Sequence, residues 1–205
     1  MSDLVVTVPK DFWLGWLAEG DLPDEPPGGV FGPDGEYDFT CGRGKTSPPP
    51  IQRGERVYVV AHGRLRGYAP LVRLSSVQGK WSLVRRGGAV AVTIDEEIRG
   101  FQGYRGRWWP REIERPFPDW RTKGIDVRCA AKEHRARPAV VWWGGLDKGQ
   151  LVAFGSCLSC AARVPERAAA QGIVIGKDLR ILVDLRPQLE QERGLLPGEL
   201  VDLEP

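Results

Sequence analysis

The 205 residues contain no apolar run approaching the roughly 20 residues that a helix needs to cross a bilayer, so no membrane-spanning helix is expected. The opening MSDLVVTVPKDFW has no basic segment ahead of a long apolar core, so the chain is expected in the cytoplasm and not in a secretory route. Histidine is scarce: with only His62 and His134 present, neither a Ser/His/Asp order nor a two-histidine metal hydrolase centre takes shape. Net charge is also low, at +2, so there is no global basic field, and any polyanion surface must come from local clustering. Four cysteines do not suggest a disulfide framework, because three of them group with a histidine, which fits a reducing compartment. The one Gly-rich basic loop, GRGKTS, lacks the first glycine of a phosphate-binding P-loop and runs into PPP, which cannot begin the required helix.

The most specific pattern present lies between positions 129 and 160. Cys129 and His134 are spaced C-x4-H, and Cys157 and Cys160 form a CxxC. Thiolate and imidazole donors in two close pairs suit a tetrahedral, closed structural zinc site of the Cys3His type. Cys41 stays open as a substitute for His134. Between the pairs, the β-favouring runs 138–143 and 150–154 flank the turn GGLDKG and predict a hairpin, and 161–171 predicts a helix ending at Gly172. This order of ligand turn, hairpin, ligand turn and helix resembles the treble-clef zinc modules over about residues 127–172. A closed four-ligand site has no open position for substrate, so the metal is expected to contribute folding free energy.

The rest of the chain predicts a strand at 4–8, a helix at 11–19 with Trp13 and Trp16 on its inner face, and a strand at 36–40. A strand at 56–61, a tight turn at 62–64 and a strand at 65–77 follow, then strands at 80–84 and 89–94. Near the end come a strand at 181–185, a helix at 186–193 and a last strand within 195–203, in a tail with seven acids against four bases. The fold class expected is α+β: a small, partly open β-barrel with a flanking helix over 1–123, and a zinc-stabilised module over 124–205. LVVTVPKDFWLGWLAEGD, EYDFTCGRGK and IQRGERVYVVAHGRLRGYAPLVRL together resemble the ASCH branch of the PUA-like superfamily over about residues 4–95. The family's G-x-K-x-x-x-x-R signature is not in place, and Arg43 and Lys45 are the residues left to stand in for its cations, which argues against catalysis. The resemblance implies a domain type often used to read RNA or modified bases.

Residues 99–123 carry seven Arg or Lys against three Asp or Glu, a local net of +4, interleaved with six aromatic residues. Cations that hold phosphates beside flat faces that stack on bases are the elements of a single-strand or flipped-base surface. The expected function is therefore non-catalytic binding of RNA or of modified or single-stranded DNA. Arg43, Lys45, Arg64, Arg105, Arg107 and Arg111 would hold phosphate, and Tyr104, Trp108 and Trp109 would stack, with His62, Arg66 and Tyr68 extending the surface. One rival is a nucleic-acid or modified-nucleoside hydrolase using Lys45, Thr46, His62 and Glu36. Another is a protein-interaction module that presents the Trp-rich patch.

Overall fold

The computed structural model describes residues 3–18, 36–41, 47–77, 79–86, 90–147, 150–197 and 200. The chain divides into two compact units, Met1–Lys123 and Gly124–Pro205, and its architecture is mixed α+β, mostly sheet.

In the first unit the β-branched run LVVT forms β1 (Leu4–Thr7). A single 3-10 turn, Lys10–Phe12, then leads into α1 (Trp13–Ala18). Next come β2 (Glu36–Thr40), β3 (Arg56–Ala61), β4 (Arg64–Val77) and β5 (Lys80–Arg86). Three short strands complete the unit: β6 (Val92–Thr93), β7 (Tyr104–Gly106) and β8 (Arg115–Pro116). The strand expected over 89–94 contracts to β6, with Val90 making a separate bridge to Tyr68. His62 and Gly63 connect β3 to β4 with φ of 49° and 74°. Two positive φ values in a two-residue loop match the right-handed twist of the strands they join.

Six strands form one sheet in the order β2-β5-β4-β3-β1-β7, and β6 pairs with β8 separately. β1 runs parallel to β3 and antiparallel to β7, so the first strand lies inside the sheet while β2, next in the chain, lies at its edge. The 14-residue β4 pairs with β3 through its first half and with β5 through its second. Bulges at Val59/Val60 and Leu71/Arg73 bend it between the two partnerships. Among the described residues no pairing joins β2 to β7, so the sheet does not close into a barrel. Val5, Tyr58, Val60, Leu65, Ile94, Ile98 and Trp109 form a core cluster, with Tyr68, Val92 and Phe101 packed against it.

The second unit is built on β9 (Val141–Asp147) and β10 (Gln150–Ser156), the antiparallel hairpin that the GGLDKG turn predicts. Two short helices follow, α2 (Leu158–Ala161) and α3 (Val164–Ala170), then β11 (Leu179–Asp184) and α4 (Arg186–Arg193). The single helix expected over 161–171 is thus two. Pro165 sits in the first turn of α3, where its missing N–H is harmless, and opens a new helix there. β11 pairs with the free side of β9, giving the order β10-β9-β11, and Gly194, at φ 67°, ends α4. No strand appears among the described residues of 195–203.

Close packing at Gly145 holds β11 on β9. A Cβ there would strike the Asp178 carbonyl oxygen and lie 2.8 Å from Leu179 Cα, and both obstacles are backbone. Gly145→Ala is expected to cost about 3 kcal/mol, the upper end for overpacking. For a unit of this size that is a fall of roughly 10 °C or more in its thermal midpoint, readable by calorimetry.

Candidate metal centre and candidate binding surface

The second unit brings Cys129, His134, Cys157 and Cys160 together, with one ligand atom from each and all four within 4.8 Å of one another. Backbone pairing explains how residues far apart in the chain converge. Cys129 bridges to Gly155, its amide donates to the Arg137 carbonyl at 3.1 Å, and the Ala130 amide donates to the Gly155 carbonyl at 2.9 Å. These bonds pin the first ligand loop to the end of β10. His134 closes the 3-10 turn Lys132–His134, and Cys157 caps α2 while Cys160 lies one turn into it. His134 Nδ1 lies 3.1 Å from Cys160 Sγ and 3.3 Å from Cys157 Sγ. The group could hold a metal ion. Cys41, the alternative fourth ligand, is not one of the four; it is buried after β2, with its amide bonded to the Trp81 carbonyl at 2.8 Å.

The thiols have unequal acidity. Burial pushes Cys157 up, yet hydrogen bonds from Ser159, from the Cys160 amide and from the neighbouring thiols outweigh it and bring it down to about 6. Cys160 is pushed up to about 12 by burial and by the Cys157 and Cys129 groups beside it. Cys157 thus ionises readily, and Cys160 resists ionising beside it. A divalent cation removes that resistance, so metal binding releases protons.

In the first unit the predicted surface residues separate into interior and exterior. Arg66 is 1% exposed: Nε donates to the Ala61 carbonyl at 3.0 Å, and Nη1 donates to the Trp120 and Lys123 carbonyls, each at 2.9 Å. It holds β4 to the chain at 120–123 and does not extend the surface. Trp109 is 3% exposed, donates Nε1–H to Glu114 at 3.1 Å and meets Tyr58 edge-on at 5.3 Å, so it cannot stack on a base. Arg107 and Arg111 converge on Asp3, itself 3% exposed, with nitrogen to oxygen distances of 2.9 and 2.8 Å. Those guanidiniums share one carboxylate, which fixes their orientation and leaves the pair a net charge of about +1 to offer a phosphate. Tyr68 is half-buried under the Arg56 guanidinium, 4.0 Å from its ring centre. His62 is half-buried against Trp13, with ring centres 6.2 Å apart; burial and the nearby Arg66 lower its pKa, so it stays neutral.

Trp108 and Arg105 are exposed, as is Arg64 at the start of β4, and Tyr104 is half-buried in β7. Trp108, 45% exposed, is braced edge-on by Trp109 at 4.9 Å and Phe101 at 6.5 Å. The Arg105 guanidinium lies 4.6 Å over the Phe101 ring. Trp108, Arg99, Arg105, Glu96 and Glu97 line an open cavity of about 630 Å³. Arg43, Lys45 and Thr46 lie outside the described residues, as does the side chain of Glu36.

Sequence reasoning missed Asp3, one of the two acceptors that organise this unit. Asp3 also accepts the Arg56 amide at 3.1 Å, and Glu114 accepts from Tyr58 at 2.6 Å and Arg56 at 3.1 Å. Burial and the bond to Glu114 push the Tyr58 hydroxyl up to about 12. No helix among the described residues is long and apolar enough to cross a membrane. No family model, curated protein or solved structure matches the chain.

Proposed function

We propose that this is a non-catalytic nucleic-acid-binding protein in which an ASCH-like, PUA-like first unit carries the binding surface and a zinc ion stabilises a treble-clef-like second unit. The observation that carries the reading is Trp108: a large ring, nearly half exposed, held rigidly by Trp109 and Phe101 and opening onto a cavity shared with Arg99 and Arg105. A pre-set indole stacks a base at low entropic cost while the guanidiniums take the flanking phosphates. Glu96 and Glu97 on the same cavity repel phosphate but accept hydrogen bonds from base amino groups, so the base belongs on their side. Arg64, Arg105 and Trp108 replace the longer residue set expected from sequence, with Arg43 and Lys45 as further cations.

Zinc is the ion the donors favour. With bonds of about 2.3 Å to sulfur and about 2.0 Å to nitrogen, tetrahedral geometry puts nitrogen and sulfur about 3.5 Å apart. The separations of 3.1 and 3.3 Å around His134 Nδ1 are close to that. All four donors being protein groups, the ion would hold Cys129, His134, Cys157 and Cys160 in place.

Fluorescence anisotropy with single-stranded RNA and DNA at two salt concentrations tests the surface. Trp108→Ala is expected to lose about 1–3 kcal/mol, roughly 5- to 150-fold in Kd. Neutralising Arg105 is expected to flatten the salt dependence by about 0.7 for each phosphate that the side chain no longer neutralises. Unchanged affinity in Trp108→Ala, or binding indifferent to salt, would overturn the reading. Salt-indifferent capture of a protein would favour an interaction module instead.

A further inference from the structure

The cavity beside Trp108 has a neighbour. Its wall includes Arg105 and Gly106, and the same two residues line a second open cavity of about 330 Å³, walled otherwise by Asp3, Leu4, Pro50, Tyr104 and Arg107. The two cavities therefore meet at β7, the last strand of its sheet, with Arg105 and Gly106 as their common rim. Gly106 keeps that rim low. A Cβ there would meet no described atom within 4 Å, and its φ lies outside the left-handed region, so neither crowding nor backbone geometry asks for glycine. Glycine in a strand weakens it, and close passage of a ligand over the backbone is a reason to have one.

The backbone offers a donor at the same point. Leu4 stands opposite Gly106, and the next pair along is closed by the Arg107 amide donating to the Asp3 carbonyl at 2.9 Å. Pairs alternate along an antiparallel ladder, so Gly106 belongs to a pair without hydrogen bonds and its N–H points away from β1, off the sheet edge. Charge differs between the two sides. The Trp108 cavity sets Glu96 and Glu97 against Arg99 and Arg105, and its wall carries no net charge. At the rim and beyond it, Arg105 is joined by Arg107, which shares Asp3 with Arg111, so guanidiniums outnumber the carboxylate by two. A neutral wall with an exposed indole suits a base, and a positive rim suits a phosphodiester.

We propose, resting on the nucleic-acid reading and extending it, that the ligand is a single strand that crosses β7 at Gly106. One base lies on Trp108. The phosphate that follows sits on the rim, flanked by Arg105 and Arg107, and accepts from the Gly106 N–H. The next nucleoside enters the 330 Å³ cavity against Tyr104 and Pro50. A mononucleotide fills only one of the two cavities. A duplex fits neither, because its neighbouring bases stay stacked and paired while these two must part on either side of the strand.

The test titrates the whole protein at one salt concentration and reads indole fluorescence. The probes are a nucleoside 5′-monophosphate, the dinucleotide of the same base, that dinucleotide with a neutral methylphosphonate link, and a short oligomer as strand and as duplex, in ribo and deoxy forms. The dinucleotide is expected to bind roughly fivefold or more tighter than the monophosphate, the lower end for engaging one more base. The methylphosphonate should lose most of that gain, and the strand should outbind the duplex. Either sugar form supports the crossing, and the tighter one names the source. Gly106→Val suits an edge strand and should keep the wild-type thermal midpoint, yet it raises the rim and should remove the dinucleotide's advantage. If its midpoint falls instead, the methylphosphonate comparison on wild type decides alone. A monophosphate bound as tightly as the dinucleotide, with Trp108→Ala weakening both, overturns the crossing and leaves the base platform standing. A stable Gly106→Val protein that binds the dinucleotide like wild type, or a duplex bound as tightly as the strand, also overturns it. No binding by any of the probes overturns the crossing and the nucleic-acid reading together.

Discussion

With zinc in the four-ligand cluster as proposed, Cys157→Ser is expected to lose the metal and to remove the cooperative thermal transition of the second unit. The expectation follows from how little apolar core that unit has. Its cluster comprises Val140, Val141, Trp143, Leu158, Ala161, Leu179 and Leu200, beneath a sheet of three strands and helices of eight residues or fewer. Domains of this size often need a metal or a disulfide to stay folded, and none of the cysteines described in this unit forms a disulfide. The ligands lie on two segments, the 129–134 loop and the start of α2, so an ion held by all four would tie them together beyond the backbone bonds at Cys129 and Ala130. Structural zinc contributes about 10–16 kcal/mol of apparent binding free energy in small modules, more than such a core supplies. The readouts are the zinc content of the purified protein, about one equivalent in wild type and well below half in the variant, and amide exchange across β9 and β10. A chelator able to compete with three thiolates should produce the same loss of protection in wild type. Full zinc content with unchanged exchange in Cys157→Ser would sink the assignment.

The legibility of this site and the opacity of the other have one physical cause. Cys157 and Cys160 are paired by local spacing, Cys129 and His134 likewise, and thiolate and imidazole donors have few other reasons to cluster. The hairpin is readable through its Gly-rich turn and α4 through Pro187 at its start and Gly194 at its end. By contrast, the destination of Arg66 depends on which face of β4 turns inward, and the bulge at Val59/Val60 shifts that register after the hairpin has begun. Nothing in RLRG marks one arginine as exposed and the next as interior. Trp108 and Trp109 are chain neighbours whose rings meet edge-on, yet one is exposed and the other buried, so aromatic content alone overstates the surface. β11 docks beside β9 across the helices that intervene, and that pairing is fixed by backbone approach at Gly145, not by a local pattern. The splitting of the helix over 161–171 is within reach of sequence reasoning, because Pro165 marks a start.

Asp3 is opaque for a related reason: its partners lie 53, 104 and 108 positions away. Asp3→Asn is expected to destabilise the first unit by about 3 kcal/mol, the lower end for breaking a buried ion pair, because Arg107 and Arg111 each keep a side toward water. The carboxylate accepts from the Arg56 amide, from Arg107 Nε and from both Nε and Nη2 of Arg111. An asparagine retains one acceptor oxygen and turns an NH2 group toward guanidinium donors, so it loses bonds and adds a repulsion. The same network sets a pH signature. Burial raises the Asp3 pKa, but the hydrogen bonds from Arg111, Arg56 and Arg107 outweigh it and hold the carboxyl below its ordinary value. A group depressed on folding contributes stability that is full above its unfolded pKa, near 4, and is lost as pH falls through the lower folded value. Urea unfolding of wild type and Asp3→Asn at pH 7 should therefore show the full gap in midpoint, and the gap should shrink as the pH is taken below about 4. A variant as stable as wild type at pH 7, or a gap that widens in acid, would mean that Asp3 does not join β1 to Arg107 and Arg111. The brace behind Trp108 would then need another source, since Arg107 and Trp109 flank that indole in the chain and their own anchors, Asp3 and Glu114, hold it in place.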